Sequence, residues 1–305
     1  MSSDISIQDY LGVLRFQRQL SPHTLDNYAR DLQELQQFAQ GRSLPSLNYF
    51  DVRRFTSQMH AQGLSARSIA RKLSSWRGYY RWLAQQMDLP ANPVDGIKAP
   101  KKSKSLPKAL GADDAVNLVS HHASEAPLMA ANRAMFELLY SSGLRVSELV
   151  ALDVQDFGDS SRPSQGWVDL AQAEVHVTGK GNKQRIVPVG KPALDAIRDW
   201  LAVRGQLLKN DSHPLFLTER GTRMSVRLVQ LRLKAHAQTM GVPSDVHPHV
   251  LRHSFATHVL QSSGDLRAVQ EMLGHSSIAA TQVYTALDFQ HLAQVYDATH
   301  PRAKK

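Results

Sequence analysis

The 305-residue chain contains no cysteine. That excludes disulfides, thiolate metal sites and a cysteine nucleophile, and it fits a cytoplasmic protein. No stretch approaches 18 consecutive apolar residues, so no transmembrane helix and no membrane partner are expected. The first residues, Met1-Ser2-Ser3-Asp4, lack the basic start and apolar run of a secretory signal. Acidic residues are missing over two stretches. From Val52 to Met87 there is none, while seven basic residues fall there: Arg53, Arg54, Arg67, Arg71, Lys72, Arg77 and Arg81. From Lys98 to Lys108 there are five lysines and again no acid. The net charge is +9. Such a balance favours a polyanionic partner, most often nucleic acid.

The acid-poor regions sit beside the clearest boundary in the chain. Leu89 to Leu110 holds Pro90, Pro93, Pro100 and Pro107 among lysines and serines, and reads as an extended, solvated linker. The reading divides the chain into a helical domain over 1–97, a basic linker over 98–108 and a second domain over 109–305. In the first, Ser21-Pro22 is a helix start, and Leu25, Tyr28, Leu32, Leu35 and Phe38 recur at helical spacing, with Gly41 as a C-cap. Ser65 to Gln86 repeats the pattern through Ile69, Leu73, Trp76, Tyr80 and Leu83. Arg67, Arg71, Arg77 and Arg81 lie mostly off that stripe. With Lys72, and with no acid nearby in sequence to pair with, they are candidates for a phosphate-facing surface.

The second domain is mixed. Asn132 to Ser141, Lys191 to Leu208, Val250 to Ser262 and Leu266 to Leu273 read as helices. Glu174 to Thr178 and Gln184 to Val189 read as strands, with Gly179-Lys180-Gly181-Asn182 as the turn between them. The fold class expected is therefore mainly α with a small β-hairpin or sheet, an α+β domain behind an all-helical one. Phe289 to Asp297 reads as a short terminal helix.

Five segments place polar groups within these elements: Ser142-Gly-Leu-Arg145-Val-Ser-Glu148, the hairpin Lys180, His249-Val-Leu-Arg252-His253, Leu273-Gly-His275-Ser276, and Tyr284. Each is commonplace alone. Arg145 and Glu148 are spaced for a surface ion pair, and a single histidine or tyrosine is more often structural. Together they supply the parts for breaking a phosphodiester. Two guanidiniums, Arg145 and Arg252, neutralise the nonbridging oxygens without any means of losing charge. Lys180 can protonate the leaving oxygen. A tyrosine hydroxyl, ordinarily titrating near 10, needs a proton acceptor such as His249 before it attacks. His275 can hydrogen-bond the phosphate, and Glu148 can orient Arg145. With two arginines in place, neither a metal nor a cofactor is required. His253 reads as either a support of the site or a core residue, and the core reading is favoured.

In this order, Arg145, Lys180, His249 with Arg252, His275 and, nine residues on, Tyr284, the residues resemble the signature of the tyrosine recombinase, or phage integrase, family. The likeness covers the whole chain, with an N-terminal core-binding domain and a C-terminal catalytic one. Within the family it is to the bacterial XerC group, through Gly179-Lys-Gly-Asn-Lys183, Leu251-Arg-His-Ser-Phe-Ala-Thr-His258 and Leu287-Asp-Phe-Gln-His-Leu292. Gly158 to Gly166 departs from the pattern and reads as a surface loop insertion. The resemblance implies a C-shaped clamp on double-stranded DNA and a XerD-like partner in a heterotetramer of two plus two. It further implies resolution of chromosome dimers, a septal DNA translocase as regulator, and a final helix that packs into a neighbouring protomer. Two rival readings remain open. One is a catalytically inactive DNA-binding protein on the same scaffold. The other is a metal-dependent nuclease, suggested by the many histidines but lacking a His-Glu-x-x-His motif and clustered carboxylates.

Overall fold

The computed structural model describes residues 6–101, 109–120, 126–158, 163–179, 183–242, 246–274 and 294–303. It divides into two units, Met1–Leu106 and Pro107–Lys305.

The first unit is a helical bundle of α1 (Ile7–Phe16), α2 (Pro22–Ala39), α3 (Tyr49–Ala61) and α4 (Ala66–Leu83). Its ends follow local chemistry. The Ser21 and Ser65 hydroxyls accept from the backbone N–H groups of Thr24 and Ser68, and proline occupies the first position of α2. Gln40, not Gly41 alone, takes the left-handed turn that ends α2; both have positive φ. The apolar stripes of α2 and α4 meet in a core rich in rings, where Trp76 Nε1 also donates to the Asp31 carbonyl at 2.7 Å. Helices α1 and α3 carry shorter apolar stripes, and both begin with a capping box, on Ser6 and on Asn48.

The start of the expected linker belongs to this unit. Val94 and Ile97 are buried in its core, and Arg77 Nη2 donates to both of their carbonyls, at 3.2 and 3.1 Å. Two apolar side chains three residues apart on a turn outweigh the prolines around them.

The second unit is α+β. Its elements are α5 (Ala112–Ser120), α6 (Pro127–Ser142), α7 (Val146–Ala151), β1 (Gly166–Asp169), β2 (Glu174–Thr178), β3 (Gln184–Pro188), α8 (Lys191–Arg204), α9 (Val226–Thr239), α10 (Pro248–Ser263) and α11 (Leu266–Leu273). The strands form one antiparallel sheet in the order β1-β2-β3, with Val175 opposite both Val168 and Val187. Gly166 is the first residue of β1 rather than the end of a loop. A Cβ there would lie 2.5 Å from the His176 carbonyl oxygen, so this strand position needs glycine. Helix α6 packs against α8 and α10 at the centre of the unit.

The described end of the chain packs on its own domain. Residues 294–299 form a helical turn. Tyr296 is buried, with its hydroxyl 2.6 Å from Ser141 Oγ, and Arg302 pairs with the fully buried Glu137 on α6. Residues 289–293 of the expected terminal helix lie outside the described residues. His258 is also structural: it bridges the Tyr140 hydroxyl and the Leu110 carbonyl, at 2.9 Å each.

Candidate active site

The centre of the site is built where α6 ends. Its last turn closes at Gly143, whose φ of 56° is left-handed and whose missing Cβ leaves room for the Phe255 ring; a Cβ would meet it at 2.4 Å. The chain then re-enters helix at α7, with Arg145 as its N-cap residue. Glu148, in the first turn of α7, accepts from the Arg145 backbone N–H at 2.8 Å and from its Nη1 at 2.8 Å. The pair is therefore not a solvated surface bridge, because Glu148 is buried.

Arg252 arrives from α10, one turn beyond His249. Burial is the first cause lowering its pKa, to about 10, and the neighbouring Arg145 charge adds to it. It stays charged at neutral pH. Its guanidinium donates to the Gly143 carbonyl at 2.5 Å and to the Leu273 carbonyl at 2.6 Å. Arg145 Nη2 donates to the next carbonyl, that of Gly274, at 3.2 Å. Two guanidiniums from separate helices thus converge on consecutive carbonyls at the C-terminus of α11. That end carries the partial negative charge of the helix and its unsatisfied acceptors.

A third arginine, not singled out by the motif reading, joins them. Arg185 on β3 donates through Nη1 and Nη2 to the two oxygens of Glu148, at 2.8 and 2.7 Å, and through Nε to the Met272 carbonyl at 2.9 Å. Its signal was in the strand alternation. Arg185 shares a face with the fully buried Val187, so a charged side chain stands where the pattern calls for an apolar one. Burial alone would raise the Glu148 pKa. The Arg185 bonds and charge, with the bonds from Arg145, outweigh it and hold the carboxyl down to about 2.

His249 and His253 are exposed on α10. The core placement expected for His253 is therefore wrong: four residues after His249 and adjacent to buried Arg252, it falls on the solvent side of the helix. Lys180, His275 and Tyr284 lie outside the described residues, as do 159–162 of the proposed insertion. Gly179 and Gly274, described, lead directly into Lys180 and His275. Among the described residues no group of three or more His, Asp or Glu side chains converges as a metal-ligand set.

In the first unit, the stretch without acids meets acids from another helix. Arg71 pairs with Asp31 of α2, and Lys72 pairs with Glu34 and lies 3.6 Å from Asp31. Lys72 is buried and Arg77 is engaged by backbone carbonyls and by Asp95 at 3.5 Å. The premise that α4 has no acid to pair with is thus corrected: α2 supplies it. Arg67 and Arg81 are exposed and make no ion pair or side-chain hydrogen bond among the described residues. Fourteen residues apart, they lie within about 40° of one another around the helix. Neutralising Arg67 and Arg81 together should lower the slope of log Kd against log salt by roughly 2, with little change in sequence preference. Lys72→Gln should leave that slope unchanged and lower Tm instead, because Asp31 is buried. Titration of DNA binding from low to high salt decides it, and an unchanged slope for the Arg67/Arg81 variant would remove α4 from the phosphate surface.

Residues 108–291 match the phage integrase family, and residues 7–87 match its N-terminal SAM-like domain. The chain is 56% identical over 306 residues to tyrosine recombinase XerC 1 of Ralstonia nicotianae (97% of this chain, 93% of that protein). It is 55% identical over 309 residues to tyrosine recombinase XerC of Ralstonia pickettii (98% and 94%). Its fold matches the Tn1549 transposon integrase, solved with circular intermediate DNA, with a TM-score of 0.70 at 18% identity (93% and 97%). The chain belongs to the phage integrase family of tyrosine recombinases, enzymes of site-specific DNA recombination, and its likeness there is to the XerC recombinases.

Proposed function

We propose that this protein cuts and rejoins one DNA strand at a specific site through Tyr284. The phenolic oxygen of Tyr284 attacks the scissile phosphorus, the bond to the 5′-oxygen breaks, and a 3′-phosphotyrosyl link forms. Lys180 gives the leaving 5′-oxygen its proton, and His249 takes the proton from Tyr284. Arg145 and Arg252 neutralise the nonbridging oxygens, and His275 donates to the same phosphate. A 5′-hydroxyl from the partner strand then attacks the phosphotyrosine and releases the enzyme. The bond energy stays in the protein–DNA link, so the step needs no ATP, cofactor or metal.

The observation that carries this reading is the convergence of Arg145 and Arg252 on the carbonyls of Gly274 and Leu273, at the threshold of the segment bearing His275 and Tyr284. The likeness to XerC proteins across almost the whole chain supports the finer picture. In that picture the protein acts in the cytoplasm on double-stranded DNA. It works with a XerD-like recombinase, two copies of each on two chromosomal sites, to resolve chromosome dimers at cell division under a septal DNA translocase. The basic linker over 98–108 joins the core-binding domain to the catalytic one.

The test is a nicked duplex carrying the chromosomal site, incubated in EDTA with the protein and with the XerD-like partner, then run on a denaturing gel. A slow-migrating protein–DNA adduct is expected. DNA binding without an adduct would favour an inactive DNA-binding protein on this scaffold. In the same assay Arg252→Ala should slow cleavage at saturating DNA by about 100- to 1,000-fold, the scale on which removing one charge-stabilising donor acts. An equal loss of binding and cleavage would count against the clamp role.

A further inference from the structure

Three carbonyls in succession close α11, and each accepts from a different arginine: Met272 from Arg185, Leu273 from Arg252 and Gly274 from Arg145. Two of these arginines have a place in the proposed chemistry. The third is buried and has no part in the proposed reaction. We infer that Arg185 is a positioning residue for strand cleavage: through Glu148 it sets the direction of the Arg145 guanidinium, and through the Met272 carbonyl it holds β3 to the end of α11. The inference rests on the proposed roles of Arg145, Lys180 and Tyr284.

The geometry makes the link in four steps. A carboxylate has about four acceptor positions. Arg185 occupies one on each Glu148 oxygen in a parallel fork, which fixes the plane of the carboxylate. The remaining positions hold the Arg145 backbone N–H and its Nη1, so the plane of Glu148 dictates where the Arg145 guanidinium lies. Among the described residues, Arg145 then has about three of its five N–H groups uncommitted, and its side chain is 32% exposed, enough to meet a phosphate.

The bland alternative is that Arg185 only neutralises a buried carboxylate. Its Nε bond argues for more. One rigid guanidinium touches the α7 carboxylate and the α11 carbonyl at once, while standing on the strand that leaves the Lys180 hairpin. It also packs against the residue that precedes His275. A Cβ on Gly274 would lie 3.1 Å from Arg185 Cδ, and Gly274 has a φ of +62°. Three segments therefore meet at this one side chain: α7 through Glu148, the end of α11 at Met272 and Gly274, and β3 itself, which follows the Lys180 turn. Lysine would keep the charge but has no planar fork and no Nε, so it could not hold all three.

The test uses the full chain as Arg185→Lys and Arg185→Gln, beside wild type and Tyr284→Phe. Three quantities are measured on the nicked site duplex: Kd, Tm, and the single-turnover rate of adduct formation at saturating DNA. Arg185→Lys should bind DNA with the wild-type Kd and cleave roughly 10- to 100-fold more slowly, the range seen when the partner that orients a reactive group is removed. In a Glu148→Gln background the same substitution should cause little further slowing, because the link it acts through is gone. Adduct formation by Arg185→Lys at the wild-type rate overturns the inference. So does a parallel fall in binding and cleavage, which marks a role in folding alone. If Arg185→Gln does not fold, the lysine variant decides. Failure of the underlying reading is visible separately: wild type would then form no Tyr284-dependent adduct, and the inference would fall with it.

Discussion

Tyr284→Phe should bind the site duplex with unchanged affinity and form no covalent adduct above background. The substitution keeps the ring and removes one oxygen, the atom proposed to bond phosphorus. Affinity is expected to survive because the phenylalanine variant keeps every cationic group, including Arg67 and Arg81, proposed to face the phosphates. No other tyrosine of the second unit can take over. Tyr140 is buried, its hydroxyl 2.9 Å from His258 Nδ1, and Tyr296 is buried against Ser141. Burial is the main force raising the pKa of both hydroxyls, which makes each a poorer source of phenolate. The loss should therefore be complete, unlike the partial losses expected at the arginines. An adduct surviving in Tyr284→Phe would end the assignment of the nucleophile.

Glu148→Ala should be the most destabilising single change near the site. It leaves the Arg185 guanidinium, with a side chain 4% exposed, facing a cavity with no anion. Breaking a buried pair from one side costs about 3–5 kcal/mol, a large part of a typical domain stability of about 5–15 kcal/mol. For a unit of this size, Tm should fall on the order of 10 °C. The pair should also give stability a pH dependence of known sign. The Glu148 pKa is held at about 2 in the folded state, below its unfolded value. Its contribution is thus fully present above pH ~4.3 and is lost as pH falls from there toward 2. The shift corresponds to roughly 3 kcal/mol. Melting from pH 6 to pH 3 should show a steep decline in wild type and a shallower one in Glu148→Gln. A Glu148→Ala protein that melts with wild type, or equal pH slopes, would show that the pair contributes nothing net.

Much of the site was legible because its chemistry is written in short, local signals. Arg145 and Glu148 are one turn apart, His249 and Arg252 are one turn apart, and Gly274 stops α11 directly before His275. Spacing on a helix fixes which side chains share a face, and that needs no tertiary information. The helices bounded by Ser21-Pro22 and Ser65 were legible for the same reason, since caps act within three residues. Arg185 was harder to see because its meaning depends on alternation in a five-residue strand, and on a carboxylate 37 residues away in sequence. The basic face of α4 was misjudged through its nearest neighbours. Asp31 and Glu34 are far away along the chain and adjacent only once α2 packs against α4.

By itself, then, the sequence determined the two-part organisation, the helical stripes, the hairpin strands and the inventory of groups able to act on a phosphodiester, because periodicity, capping and residue chemistry are local properties. Only the tertiary structure decided which charges are spent on the protein and which remain for a ligand. Ion pairing and burial depend on distances between separate elements. Packing placed Lys72 and Arg185 inside against carboxylates, left Arg67 and Arg81 in solvent, and brought three arginines from β3, α7 and α10 to the end of one helix.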